Sequence, residues 1–181
     1  ANRNAPALAK IAESSGIRML TIHGRTREQF YTGRADWSFI QNIKKSVQIP
    51  VIANGDIASG ADVDACLKAS GADGIMVGRG TLGQPWLIGQ LAHYLRSGKM
   101  GPAPSFQDQG QIHITHYQDI LATYGQARGV RIARKHLGWA IARLPNSASH
   151  LARVNALDNP DAVVALLQEI YSRADAVQEA A

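Results

Sequence analysis

Three short clusters in this chain combine a polar or charged side chain with glycine: His23-Gly24-Arg25-Thr26-Arg27, Asn54-Gly55-Asp56 and Gly78-Arg79-Gly80. Glycine lets an anionic group approach the backbone closely, and the N–H groups opening a following helix can hold it. Arginine adds a permanent charge whose planar fork matches a phosphate, so Gly78-Arg79 ahead of a helix suits phosphate binding. Each cluster taken alone has an ordinary reading too. Asn54-Gly55-Asp56 is first of all a turn, His23 fits either the face of a cofactor ring or a cap on a structural core, and Arg25 and Arg27 lie on a long loop where arginines hold anions or are simply solvated. Their recurrence gives them weight. All three directly follow a strand pattern, and ligands in parallel α/β folds bind at the carboxyl ends of strands.

Other templates for chemistry are missing. His113 and His116, three apart on a helical stretch, lack a nearby third ligand of the usual kind. There is no Gly-x-Ser-x-Gly elbow, no P-loop and no pair of carboxylates. A bound cofactor is then the natural source of any chemistry. Cys66, within Asp64-Ala65-Cys66-Leu67, reads as a small buried helix residue rather than a nucleophile. As a lone cysteine it allows no internal disulfide and points to a cytoplasmic setting. No run approaches the roughly 18 apolar residues of a membrane span. The start, Ala1-Asn2-Arg3-Asn4-Ala5-Pro6, has neither an initiator Met nor a charged-then-apolar leader, so the expectation is a cut inside a longer protein.

The elements that must position these clusters alternate over the first hundred residues. Helical patterns at 7–13, 37–46, 60–69 and 85–95 interleave with strand patterns at 18–23, 49–54 and 73–77. Pro6 suits a first helical turn, Gly16 a helix stop, and Asp36 the N-cap of the helix after the 24–35 loop. Strands separated by helices of about ten residues imply βα units and a parallel sheet. Short apolar strands of this kind are expected to be buried on both faces, in a barrel or in an open doubly wound sheet. Gly98, Gly101, Pro102 and Pro104 then mark a linker. Beyond it the pattern is helical, at 107–124, 129–143 and 160–178, with Asn159 as N-cap and Pro160 at the first helical position. The expected division is an α/β part over 1–100 and an all-helical part over 101–181.

Charge separates these parts further. Residues 1–100 hold 12 basic and 7 acidic residues, a balance of +5, whereas 101–181 hold 7 of each. No acid occurs between Asp119 and Asp158, and six of the seven basic residues of the second part fall in that gap. Arg128, Arg131 and Lys135 follow helical spacing, with Arg134 beside them, while Val130, Leu137 and Ile141 form another face. Such a basic face attracts a phosphodiester backbone, although a solvated helix face has the same composition. Tyr124 and Trp139 are candidates for base stacking or for the core, the core being the commoner fate.

Taken in order, three stretches resemble the last three strands of the tRNA-dihydrouridine synthase barrel: Thr21-Ile22-His23-Gly24-Arg25-Thr26-Arg27, Ile49-Pro50-Val51-Ile52-Ala53-Asn54-Gly55-Asp56-Ile57, and Gly71-Ala72-Asp73-Gly74-Ile75-Met76-Val77-Gly78-Arg79-Gly80. Gln84-Pro85-Trp86 and Arg131-Ile132-Ala133-Arg134-Lys135-His136-Leu137 are similar to the B-type bacterial branch, and the likeness covers nearly the whole chain. It implies an α/β fold, namely the C-terminal three βα units of an FMN-bearing (β/α)8 TIM barrel over 1–100, followed by a helical tRNA-binding domain over 101–181. It further implies that Asn54, Gly55 and Asp56 contact FMN, that Gly78 and Arg79 bind its phosphate, and that His23 lies near the flavin ring. Arg25 and Arg27 would face the RNA or the cofactor rim, and Arg128, Arg131, Arg134 and Lys135 the RNA. In such a reaction NADPH reduces FMN, hydride passes to C6 of a flipped-out uridine, and an acid protonates C5.

That acid is a cysteine in the family's first barrel half, together with a flavin-contacting lysine; Cys66 does not match its position. Three strands cannot close a barrel. The expectation is therefore a chain that lacks the N-terminal half of its barrel, is inactive alone, binds FMN poorly and exposes apolar strand edges. Two rivals remain: another phosphate-binding flavin barrel acting on a small metabolite, such as an inosine-phosphate or dihydroorotate dehydrogenase relative, and a non-catalytic RNA-binding module. The basic helical extension argues against the first, and the intact set of strand-end residues against the second.

Overall fold

A computed structural model describes the backbone of residues 3–179 and side chains as far as Asp175. It is an α/β structure of three strands and eight α-helices among the described residues. These are α1 (Ala5–Ser14), β1 (Leu20–His23), α2 (Trp37–Lys44), β2 (Val51–Asn54), α3 (Gly60–Ser70), β3 (Gly74–Met76), α4 (Leu87–Ser97), α5 (Phe106–Tyr124), α6 (Gln126–Ile141), α7 (Ser147–Asn155) and α8 (Pro160–Glu179). Single 3-10 turns lie at Arg27–Gln29 and Arg79–Thr81. The chain divides into two compact units, the first running to Thr81 and resuming over Leu87–Gly101, the second comprising Leu82–Trp86 and the residues from Pro102 onward.

In the first unit the strands pair in parallel in the order β1-β2-β3, with His23 opposite Asn54 and Asn54 opposite Met76. The helices are stopped and started by local chemistry. Pro6 stands in the first turn of α1, the Asp36 carboxylate accepts from the Phe39 N–H to cap α2, and the Ser59 hydroxyl accepts from the Asp62 N–H to cap α3. Gly71, at φ 61, ends α3 in the left-handed conformation that glycine adopts without strain. Val51 and Ala53 of β2 are fully buried against Ile40 and Ile43 of α2 and Val63 and Cys66 of α3. Partly buried Leu20, Ile22 and Ile75 extend this face.

The expectation of strands buried on both faces is corrected here. Burial alternates along β1 and β2, and the face carrying Thr21, Ile52, Asn54 and Met76 is half-buried or exposed. Within this unit α2 packs on β2 and α3 on β2 and β3, burying the face that carries Val51 and Ala53, so alternate residues leave water. α4 also begins at Leu87 rather than at Pro85, and a 3-10 turn rather than an α-helix follows Gly78. The intervening Leu82–Trp86 segment packs with the second unit, where the Gly83 backbone lies against the Trp139 carbonyl too closely for any side chain.

In the second unit α5 packs on both α6 and α8. The core is one cluster that includes Tyr117, Val130, Leu137, Ile141, Leu167 and Ile170. Two glycines set helix separations. A Cβ on Gly110 would meet the Tyr171 Cβ at 2.8 Å, and one on Gly129 would meet the Leu121 Cα at 3.0 Å. α8 starts with Asn159 Oδ1 accepting from the Ala162 N–H and Pro160 at the first helical position. α7 was not legible in the pattern: its start, Ser-Ala-Ser-His after Asn146 at φ 54, has loop chemistry, and it is held by Val154 and Leu151 packing into the core. No helix among the described residues is long and apolar enough to cross a membrane.

Candidate functional site

Because β1, β2 and β3 are aligned, the residues that follow them converge. A cavity of about 540 Å³ is lined by His23, Tyr31, Asn54-Gly55-Asp56-Ile57-Ala58 and Gly78-Arg79-Gly80, a size within the usual range for small-ligand sites, about 300–1,000 Å³. Six of the expected cofactor residues thus share one wall: His23, Asn54, Gly55, Asp56, Gly78 and Arg79. The Asn54 amide donates to the Met76 carbonyl at 2.8 Å, and His23 Nδ1 lies 3.2 Å from the Asn54 carbonyl oxygen. Gly55, at φ 119, sits where a Cβ would come within 2.8 Å of both Ala35 and His23, so no other residue fits that backbone. The Trp37 indole N–H fastens the Gly55 carbonyl at 2.8 Å.

Asp56 anchors this wall. At φ 56 it occupies the left-handed region that Asp tolerates better than most residues. Its two oxygens accept from Arg25 at 2.8 and 2.6 Å, from the Ala35 N–H at 2.7 Å and from Arg79 at 3.2 Å. Burial pushes its carboxyl pKa up, but the hydrogen bonds from Arg25 and Ala35 and the charges of Arg25 and Arg79 outweigh it and hold the group below the usual value. Arg79 also lies over the Tyr31 ring, 4.3 Å from its centroid. A Cβ built on Gly78 meets nothing within 4 Å, so the wall beside Arg79 is open for a ligand to approach. An open backbone, a fixed guanidinium and a polar rim fit a phosphate-bearing group.

The expectation for Arg25 is the RNA or the cofactor rim. Its side chain is only 3% exposed, and the guanidinium donates to Asp56 and to the Thr32 and Gly33 carbonyls, which leaves it turned inward rather than toward RNA. Arg27 is exposed in the first turn of the same loop. In the second unit Arg128, Arg131 and Lys135 share the exposed side of α6, whereas Arg134 is half-buried and pairs with Asp158 at 2.8 Å. Tyr124 is 48% exposed, with Arg128 over its ring at 5.6 Å, so its commoner core fate does not apply. Trp139 is half-buried under Lys135, 5.0 Å away. Sequence reasoning missed Tyr31 and Trp37 as site residues: one sat in a loop, the other read as the opening of a helix. The signal available for both was an aromatic side chain flanking the arginine-rich loop.

Cys66 is buried and its thiol is pushed up to about 11, chiefly by burial, so it is inert at neutral pH. His113 is buried with Nε2 unpartnered and packs edge-on to Trp86; no group of metal-ligating residues forms among the described residues.

The model of the dihydrouridine synthase (Dus) family matches residues 1–176. A probable tRNA-dihydrouridine synthase of Rickettsia bellii is 55% identical over 94% of this chain and 52% of its own length. The tRNA-dihydrouridine synthases B of Xanthomonas axonopodis pv. citri and Pseudomonas putida are 45% and 44% identical over 94% and 95% of this chain, and 51% of each of theirs. The chain spans about half the length of the curated relatives it matches. With that likeness running through all three strand-end clusters, the chain belongs to the dihydrouridine synthase family.

Proposed function

We propose that this chain supplies the cofactor-phosphate side and the helical RNA-binding part of an FMN-dependent tRNA-dihydrouridine synthase, which reduces uridines in tRNA to 5,6-dihydrouridine with NADPH as reductant. The observation that carries the reading is the cavity where three aligned strand ends meet, walled by Asn54, Asp56, Gly78 and Arg79. Gly78 and Arg79 would hold the FMN phosphate, Asn54 with Gly55 and Asp56 would line the flavin, and His23 would stand beside its ring. FMN, when bound, supplies hydride transfer to the pyrimidine. The chain's own residues bind and orient: Arg25 braces Asp56, and Asp56 in turn aims Arg79. Arg27 and the α6 residues Arg128, Arg131 and Lys135 would meet the tRNA backbone, and charge attraction of this kind weakens steeply with salt.

On this reading β1 to β3 are three strands of a (β/α)8 barrel, residues 1–100 its C-terminal part and 101–181 a helical domain, and the relatives' remaining length supplies the other strands and the proton donor. Purification of the protein in its native length, followed by a visible absorbance spectrum and NADPH-dependent loss of uridine from tRNA, tests it. The expected result is a flavin spectrum, release of FMN on denaturation, and weakening of FMN retention by about tenfold or more in Arg79→Ala, since hydrogen bonds to charged groups contribute about 1.5–3 kcal/mol. These 181 residues alone are expected to come through purification nearly colourless. A colourless native-length protein that refuses added FMN would sink the proposal.

A further inference from the structure

The loop between β1 and α2 places two neighbouring aromatic residues in different settings. Tyr31 lines the strand-end cavity and lies under the Arg79 guanidinium. Phe30, one residue earlier, points away into solvent with 72% of its surface exposed. Its backbone, at φ 47 and ψ −105, occupies a region that favours glycine, so the exposed ring is held there at the cost of strain.

The clamp that holds it is visible on both sides. Before Phe30, the Thr26 N–H donates to Gln29 Oε1 at 2.8 Å, and the Phe30 N–H reaches the Arg27 carbonyl at 3.3 Å. After it, the Thr32 N–H and hydroxyl both reach the Gln29 carbonyl, at 2.8 and 2.7 Å. Arg25 then ties the Thr32 and Gly33 carbonyls to Asp56 in the cavity wall. The position of the Phe30 ring is therefore coupled to the acid that organises the pocket. Arg27 and Arg34, both exposed, belong to the same loop.

An exposed aromatic face among exposed arginines is what single-stranded nucleic acid recognises, because every base offers a π-face and every nucleotide a phosphate. Resting on the RNA-modifying reading above, we infer that Phe30 is a stacking platform for an unpaired nucleobase of the RNA substrate, next to the one drawn into the pocket. Unstacking a target base leaves its neighbour with a bare face, and the strained turn keeps the Phe30 ring ready for such a face without reordering on binding. The division of work is that Tyr31 with Arg79 walls the pocket and Phe30 grips the strand outside it.

The test uses the native-length protein and a single-stranded RNA oligonucleotide carrying 2-aminopurine beside a uridine, titrated against wild type, Phe30→Ala and Phe30→Trp, with the flavin spectrum and thermal midpoint recorded for each. The expected result is quenching of 2-aminopurine by wild type and Phe30→Trp. For Phe30→Ala, quenching is lost and binding weakens by about 5- to 150-fold, the range for one stacked base, with flavin content and thermal midpoint unchanged. RNA bound and quenched equally by Phe30→Ala overturns the platform while leaving the functional reading intact. A lowered thermal midpoint in Phe30→Ala overturns it as well, by showing the ring packed against protein. RNA left unbound by wild type removes the functional reading and the platform with it.

Discussion

Asp56 concentrates the residue-scale argument. A carboxylate in left-handed backbone, beside a glycine at φ 119 that no other residue can replace, is stable only because its oxygens are filled by Arg25, Arg79 and the Ala35 N–H. Arg25 is the stronger partner: its side chain is nearly fully buried and uses both ends of its fork on Asp56 while bonding two loop carbonyls. A lysine offers one point charge and cannot copy that fork. Arg25→Ala is expected to lower stability by about 2–3 kcal/mol, because a half-buried carboxylate is left partly unpaired. Arg25→Lys is expected to recover less than half of this. Urea unfolding of the three proteins checks it, and full recovery by lysine would show that charge alone matters.

At the scale of elements, the second unit depends on how closely its helices approach. Gly129 begins the buried stripe of α6, and any side chain there would press on the Leu121 Cα at 3.0 Å and the Ile120 carbonyl at 3.2 Å. Both obstacles are backbone or close to it, so they cannot swing aside as a rotamer can. Gly129→Ala therefore sets two effects against each other. Helix propensity favours alanine by about 1 kcal/mol, whereas overpacking a tight helix contact costs about 1–3 kcal/mol. The expected net is a loss of stability, read as a lower urea midpoint. The same exchange at Gly89 of α4, where a Cβ meets nothing within 4 Å, is expected to stabilise. Equal effects at the two sites would refute the contact argument.

For the molecule as a whole, acid is expected to act in two stages. His113 is held down to about 4, chiefly by burial and further by the charge of His116, with a hydrogen bond to the Gly83 backbone pulling it back. Folded protein thus keeps this group neutral while unfolded protein protonates it below about 6.5. The stability it contributes is present above that value and is lost as pH falls toward 4, by up to about 3 kcal/mol. Asp36, Asp56 and Asp73 sit below the ordinary value of 3.8. For Asp36 and Asp73 the first causes are hydrogen bonds, from Ser38 and Lys44 respectively; for Asp56, burial is outweighed by its arginines. What these carboxylates contribute persists above 3.8 and disappears only as pH drops through their still lower folded values. Urea midpoints between pH 7 and 2.5 should show both limbs, and His113→Phe should shrink the upper one, leaving the part due to His136, which burial and the charges of His116 and Lys135 also hold below its ordinary value. An upper limb of undiminished height in that variant would assign it elsewhere.

How much of this was open to reading follows from range. The Asp36 and Asn159 caps, Pro6 and Pro160 in first turns and the three strand-end clusters depend on neighbours within about four residues, and the chain states them outright. α7 escaped because its serines and asparagine favour loops locally, and only the burial of Val154 in a distant core outweighs them. The destinations of the charges were likewise undetermined by the sequence. Arg25 lies 31 positions from Asp56, Tyr31 lies 48 from Arg79, and Arg134 lies 24 from Asp158. A guanidinium on a loop or helix face has the same local pattern whether it meets solvent, a phosphate or a carboxylate. Sequence by itself therefore determined the three strands, the helices other than α7, the order of the strands' ligand-facing ends and the family likeness. Tertiary structure alone decided which arginines turn inward, which aromatic walls the cavity and which stands outside it, because those choices rest on pairing across parallel strands and on backbone contacts that no local spacing encodes.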